Sequence, residues 1–254
     1  MTAQLSLSLA GLSRAADLPW SAGPRAAMEW AAKLGYRGIQ LDATAPGLRP
    51  RELDRSGRRD IATLLRRLGL NLSGLDLWIP AEHFADPVHQ TRAMGAVESA
   101  LELAADLRGA ADQEPVISVS LPARPEASLR VQIAGLADRL GVPVADHAVR
   151  PEDAGILKNE GPLGFGVDPA EVARAGADVL RLVAKLGVSI RSARLSDWSG
   201  TRRVMPGGKG RLDLLAYSAA LSVAGYNRPI VVDLRDLDEQ ARAAADVLSR
   251  WPTL

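Results

Sequence analysis

Three of the later apolar runs in this 254-residue chain carry an acid near their ends: Val142–His147 holds Asp146 beside His147, Gly164–Asp168 closes on Asp168, and Pro229–Leu234 holds Asp233. A fourth run, Ser189–Leu195, carries Arg194 two residues before Ser196, and in extended chain that spacing puts both side chains on one face. Carboxylates and an imidazole gathered at strand ends can hold a hard cation or move a proton between neighbouring carbons. Other strand ends add Ser6 and Ser8, Gln40 and Asp42, Asp76 and Trp78, Glu82 and His83, Ser118 and Ser120, then Glu171, Asp197 and Arg235. Taken singly, each is more often a helix cap or a loop hydrogen bond; their convergence is what points to a site.

The elements that must position these residues follow from periodicity. Short β-branched runs alternate with longer amphipathic segments, the signature of βα units around a parallel sheet. Strands are expected at Gln4–Ala10, Gly38–Asp42, Asn71–Leu77, Val116–Leu121, Val142–His147, Gly164–Asp168, Ser189–Leu195 and Pro229–Leu234. Helices are expected at Pro24–Leu34, Arg51–Leu68, Pro87–Leu107, Ala127–Leu140, Pro169–Lys185, Leu212–Ala224 and Leu237–Trp251, with a shortened unit over Ala148–Pro162. Five helix ends carry a glycine, at Gly35, Gly69, Gly141, Gly187 and Gly225, where a left-handed cap belongs. The first strand is followed by Ala10-Gly11-Leu12-Ser13-Arg14, with no glycine-rich phosphate turn, which disfavours an open doubly wound sheet. The fold class is therefore α/β, one (β/α)8 barrel spanning 1–254, whose ligand face lies at the carboxyl ends of the strands.

The totals agree with that class. Hydrophobic residues make up 47% and charged residues 24%, enough for a large core. The 31 Lys and Arg are interleaved with 30 Asp and Glu, so no basic face offers itself to nucleic acid. With no cysteine there is no disulfide, thiolate metal site or thiol nucleophile. Neither a signal peptide nor a membrane span is expected, and the expected location is the cytoplasm. Homo-oligomerisation stays open.

The run ARLSDWSGTRRVMPGGKGRLDLLAYSAALSVAGYNRPIVVDL, from Ala193 to Leu234, resembles the last quarter of sugar phosphate isomerase/epimerases of the xylose isomerase-like TIM barrel superfamily, to which the family 2 AP endonucleases also belong. Those proteins show a V-H-L-K-D strand, a loop closed by G-x-G, an amphipathic helix and A-G-Y-x-G-x-x-x-x-E-L. Gly35-Tyr36-Arg37-Gly38-Ile39-Gln40-Leu41 is similar to their G-Y-x-G-V-E-L strand, and Gly166-Val167-Asp168-Pro169 to their D-x-x-H region. The resemblance covers essentially the whole chain.

It implies a manganese or magnesium ion at the barrel mouth, held by a Glu, an Asp, a His and a second Glu, with acidic residues moving a proton on a small carbohydrate or sugar phosphate. Carried over, those ligands fall on His147, Asp168, Arg194 and Asp233, and only Asp168 is of the expected type. The strand-two glutamate becomes Gln40 and the strand-seven lysine becomes Ser196. Arg194 departs most, since a guanidinium has no lone pair to give and keeps its charge. The expectation is that Arg194 takes the seat of the dication with Asp168 and Asp233 as counter-ions, so that the protein holds no metal or only a weakly bound one. A shifted metal site from Asp168, Glu171, Asp233 and Asp146 or His147 stays open.

Catalytic roles are thus expected of His147, Asp168, Asp233 and Arg194, although His147 is as readable as a hydrogen-bonded structural residue. Substrate contacts are expected from Gln40, Asp42, Trp78, Ser196, Trp198 and Lys209. Trp78 and Trp198 either stack on a sugar ring or cap the barrel, and Lys209 either meets an anionic group or sits in a solvent-facing loop. Two functions follow: an isomerase or epimerase on a small carbohydrate or sugar phosphate, or a non-catalytic barrel that binds one. The endonuclease branch, whose metal site draws on many histidines, fits poorly with a chain that has three.

Overall fold

All eight expected runs form strands, and every neighbouring pair is parallel. A computed structural model describes residues 4–122, 127–148 and 161–251. The strands are β1 (Leu5–Ser8), β2 (Gly38–Asp42), β3 (Asn71–Asp76), β4 (Val116–Val119), β5 (Val144–Asp146), β6 (Leu163–Val167), β7 (Ile190–Leu195) and, after a small antiparallel hairpin of β8 (Asp197–Trp198) and β9 (Arg203–Val204), β10 (Ile230–Val232). The barrel runs from β1 in sequence order to β7, then to β10, which closes it on β1. The helices are α1 (Pro24–Leu34), α2 (Arg55–Leu68), α3 (Glu82–Ala85), α4 (Pro87–Asp106), α5 (Ala127–Leu140), α6 (Pro169–Arg174), α7 (Val179–Leu186), α8 (Leu214–Val223) and α9 (Gln240–Arg250). The expected shortened unit falls largely on 149–160, outside the described residues. Among the described residues no helix is long and apolar enough to cross a membrane.

Alternation divides each strand between two environments. Leu5 and Leu7, Ile39 and Leu41, Ile117 and Val119, Phe165 and Val167, and Ile230 and Val232 form the buried layer between strands and helices. The opposite set, Ser6 and Ser8, Gln40, Asp76, Ser118, His147, Asp168, Ser192, Arg194, Ser196 and Asp233, is equally buried and almost wholly polar. Two bulges tune this phase. The β2–β3 register skips Ser73, and the β6–β7 register skips Arg191. One inserted residue turns every later side chain to the other face. The bulges therefore lie just upstream of Asp76 and Arg194 and set which way both point.

Besides the short α3, where the sequence sets no helical expectation, and α9, which starts at Gln240 and not Leu237, two helices differ from the sequence expectation in kind. The single helix expected over Pro169–Lys185 is two, because Gly176 takes a left-handed φ of 75° and Asp178 starts α7 afresh, accepting from the N–H of Leu180 (2.8 Å) and Arg181 (3.3 Å). The helix expected from Arg51 starts instead at Arg55, where the Asp54 side chain accepts from the Gly57 N–H at 2.8 Å and caps it. The five punctuating glycines all have positive φ.

Candidate functional site at the barrel mouth

The polar strand faces meet at the carboxyl end of the barrel in two separate bonded systems. The first is ionic. Asp76 ends β3, Asp168 follows β6 and Asp233 follows β10; their side chains are 3%, 1% and 0% exposed. Three guanidiniums cross-link them. Arg194 on β7 reaches Asp76 at 2.5 Å, Asp168 at 3.2 Å and Asp233 at 3.6 Å. Arg203 on β9 reaches Asp168 at 2.7 Å, Asp233 at 3.4 Å and the half-exposed Glu171 at 3.3 Å. Arg235 reaches Asp233 at 2.8 Å and Asp76 at 3.0 Å.

Ser196 completes this system by donating to Asp168 Oδ1 at 2.6 Å while accepting from the Ala170 N–H at 3.0 Å. Burial alone would raise the Asp168 carboxyl, but Arg203, Arg194 and the Ser196 hydroxyl together hold it far below the usual carboxylate range. Burial would likewise lower Arg203 and Arg235, yet the facing aspartates raise both above an ordinary guanidinium. Each of these cations is permanently charged.

The second system is neutral. Ser8 donates to Gln40 Oε1 at 2.9 Å, Gln40 Nε2 donates to Ser118 Oγ at 3.1 Å, and Ser118 Oγ lies 3.2 Å from His147 Nε2. Ser118 Oγ thus accepts from Gln40 and sits against the His147 ring, joining the two into one buried chain. Burial, reinforced by the Arg194 charge, pushes His147 well below the ordinary histidine value, so the ring is neutral at pH 7. Its Nδ1 is buried without a partner. The ring lies on Gly166, where an added Cβ would stand 2.4 Å from three ring atoms.

A pocket of about 480 Å³ opens over both systems, lined by Trp78, His147, Asp168, Glu171, Arg174, Arg194, Arg203 and Arg235 among others. The structure thus brings together His147, Asp168, Asp233, Arg194, Ser196 and Glu171, with Trp78, 61% exposed, at the rim. Gln40 acts beneath the pocket through Ser118.

Other expected contacts lie elsewhere. Asp42 turns to the Thr44 N–H (2.8 Å) and hydroxyl (2.6 Å) and lines a separate hollow with Arg14 and Pro46. Asp146 points out of the barrel to Arg130 on α5 at 2.9 Å, so it has no part in a mouth site. Trp198 sits half-buried in the hairpin and Lys209 is exposed; neither lines the pocket. Asp197 accepts from the N–H groups of Trp198, Arg211 and Leu212 and so fixes the loop, and an added Cβ at Gly210 would collide with its carboxylate.

Arg203 was missed by sequence reasoning, because it sits in an Arg- and Gly-rich loop that reads as solvent-facing. The available signal was stoichiometric: buried acids at several strand ends demand as many buried cations.

Comparison with known proteins adds the fold's relatives. No family model and no curated protein matches the sequence. Among solved structures, a xylose isomerase domain protein from Planctomyces limnophilus is 16% identical with a TM-score of 0.72, over 98% of this chain and 95% of that one. A D-psicose 3-epimerase with D-tagatose, from Clostridium cellulolyticum H10, is 14% identical with a TM-score of 0.71 over 97% of each chain. The fold is that of the xylose isomerase-like TIM barrels. A further barrel of this kind, from Mycobacterium smegmatis in complex with magnesium, is 14% identical with a TM-score of 0.71, over 96% of this chain and 94% of that one.

Xylose isomerase-like barrels thus raise the question of a divalent cation at the mouth, and the residues present do not fit one. Among the described residues no three His, Asp or Glu side chains are placed to share a cation. The oxygens that would ligate it are instead occupied by Arg194, Arg203 and Arg235, whose fixed charges would repel a dication in a poorly screened pocket. The expected set of Asp168, Asp233, His147 and Glu171 is divided: the three acids face arginines, while His147 belongs to the neutral chain.

Proposed function

We propose that this chain is a carbohydrate-recognising barrel that binds a small sugar or sugar phosphate at the mouth, with the proton-transfer role of its carboxylates lost. The observation that carries this reading is the cross-linking of Asp76, Asp168 and Asp233 by three arginines. A general base needs a basicity near the working pH and a free lone pair within reach of the substrate. Asp168, held far below the carboxylate range, is too weak a base. His147 has its Nε2 engaged with Ser118, and burial holds the ring well below the ordinary histidine value, which weakens it as a base. Support for a sugar-sized ligand comes from the pocket volume, the exposed Trp78 face and the sugar-bound epimerase that shares the fold.

Differential scanning fluorimetry across ketoses, aldoses, inososes and their phosphates, run beside turnover assays with and without manganese, tests this. Stabilisation by at least one sugar with no turnover is the expected result, since a ligand of the native state raises its stability by mass action. Turnover abolished by Arg203→Gln or Asp168→Asn would contradict it. The competing reading, an isomerase or epimerase working through His147, rests on the unpartnered Nδ1. It predicts turnover that His147→Gln removes and manganese does not enhance.

A further inference from the structure

We infer that the ligand of this pocket carries an anionic group, a phosphate or a carboxylate on a sugar-sized body, and that this group docks on the edges of Arg235, Arg203 and Arg174. The inference rests on the reading of the mouth as a carbohydrate site and adds the chemical class.

The wall of the pocket carries four guanidiniums, and its free acceptors are confined to the half-exposed Glu171 and the exposed Asp236. Asp168 Oδ1 already accepts from Ser196 and the Glu171 N–H, and its Oδ2 accepts from Arg194 and Arg203. Asp233 Oδ1 accepts from the Arg235 backbone and side chain. Asp76 Oδ2 accepts from Arg194 and Arg235. Asp76 and Asp233 do not reach the pocket at all, being covered by the guanidiniums above them.

Donors remain on the pocket side. A guanidinium carries five N–H groups. Arg235 uses Nε and Nη2 on the acids, and its Nη1 meets no acceptor among the described residues. Arg194 Nε, also without a hydrogen-bond partner, is buried and faces Asp233 Oδ2 at 3.6 Å, so it is not one of these donors. Arg174, whose side chain is 62% exposed, stands at the rim with one face against Glu171 at 2.7 Å.

A neutral sugar presents hydroxyls that need acceptors as much as donors. Here it would find few, and its own hydroxyl protons would go unmet. A phosphate or carboxylate has the opposite requirement, accepting several N–H bonds and donating none, and pairs with planar guanidinium edges at about twice the strength of neutral partners. The arginines also cover the buried Asp76 and Asp233, and the four guanidiniums of the lining outnumber its three carboxylates, Asp168, Glu171 and Asp236, which leaves the wall net positive.

Isothermal titration with D-fructose, D-fructose 6-phosphate, D-gluconate, D-glucose and inorganic phosphate, at two salt concentrations, separates the possibilities. D-fructose 6-phosphate or D-gluconate is expected to bind at least about tenfold more tightly than its neutral counterpart, with affinity falling several-fold from low to high salt. Arg174→Gln, at the exposed rim where folding is undisturbed, should weaken the anionic sugar several-fold and leave thermal stability unchanged. Arg235→Gln should weaken it further. Equal binding of D-fructose and its phosphate, or binding indifferent to salt, overturns the anion assignment and leaves the carbohydrate reading standing. Inorganic phosphate binding as tightly as any sugar anion keeps the anion site and removes the carbohydrate. Silence from every compound overturns both.

Discussion

The two bonded systems at the barrel mouth bury polar atoms by opposite means. Across β3, β6, β7 and β10 the solution is ionic, with three aspartates and three arginines bonded to one another and supported by Ser196 and Glu171. Around β1, β2, β4 and β5 it is a neutral relay from Ser8 through Gln40 and Ser118 to His147. The ionic side is stable only when complete, because removing one partner strands a desolvated charge. A neutral relay loses about one bond's worth of stability per deletion. The ionic system is therefore charge-locked and the neutral one adjustable.

The largest effect should come from breaking the ionic side. Asp233→Ala leaves Arg194, Arg203 and Arg235 short of a common acceptor and should cost about 3–5 kcal/mol in urea unfolding. Ser118→Ala, its counterpart on the neutral side, should cost about 1–3 kcal/mol, mostly by leaving Gln40 Nε2 without its acceptor. Equal costs for the two variants would erase the distinction. Gly166→Ala tests the seat of His147, since the added methyl meets the ring. It should destabilise by about 1–3 kcal/mol, the range for overpacking a full core.

Acid titration sharpens the comparison. The folded pKa of His147 is depressed, so below about pH 6.5 the unfolded chain takes up a proton that the native ring refuses. This contribution is complete above about 6.5 and fades as pH falls, by up to about 1.4 kcal/mol per pH unit. Asp168 is depressed as well, but its contribution persists down to about pH 3.9 and is lost only below that. Asp146 and Asp197, pushed upward by burial, act in the opposite sense above about pH 3.8, and because the parent and His147→Gln share them, the difference between the two proteins is diagnostic. Melting temperature measured from pH 4 to 8 should decline below 6.5 in the parent, and less steeply in His147→Gln. Smallest of all, Trp78→Ala should leave stability within about 0.5 kcal/mol, because the residue is 61% exposed.

The same contrast explains what could be read in advance. The outward strand faces follow simple alternation, and helix ends carry glycine caps, so the eight-unit ring was legible from Leu7, Ile39, Val167 and their like. The positions of Asp168, Asp233, His147 and Arg194 at the mouth were legible too, because alternation and the barrel rule place them. What escaped was partnership. One arginine was expected among the acids, and three are there, since Arg203 arrives from a hairpin whose pairing of Trp198 with Arg203 has no sequence signature. Asp42 and Asp146 looked equivalent to Asp168, yet local acceptors decide otherwise: Thr44 captures the first and Arg130 the second. The break at Gly176 was hidden inside a helical pattern, where a single glycine is usually tolerated.

The central claim is that guanidiniums, not a dication, neutralise the acids of the mouth. Manganese binding to the purified parent protein at pH 7, followed by electron paramagnetic resonance and by equilibrium dialysis with metal analysis, tests it most directly. The account predicts no saturable site, with the free manganese signal undiminished at protein concentrations well above the metal. One equivalent of bound manganese, lost in Asp168→Asn and Asp233→Asn, would contradict it.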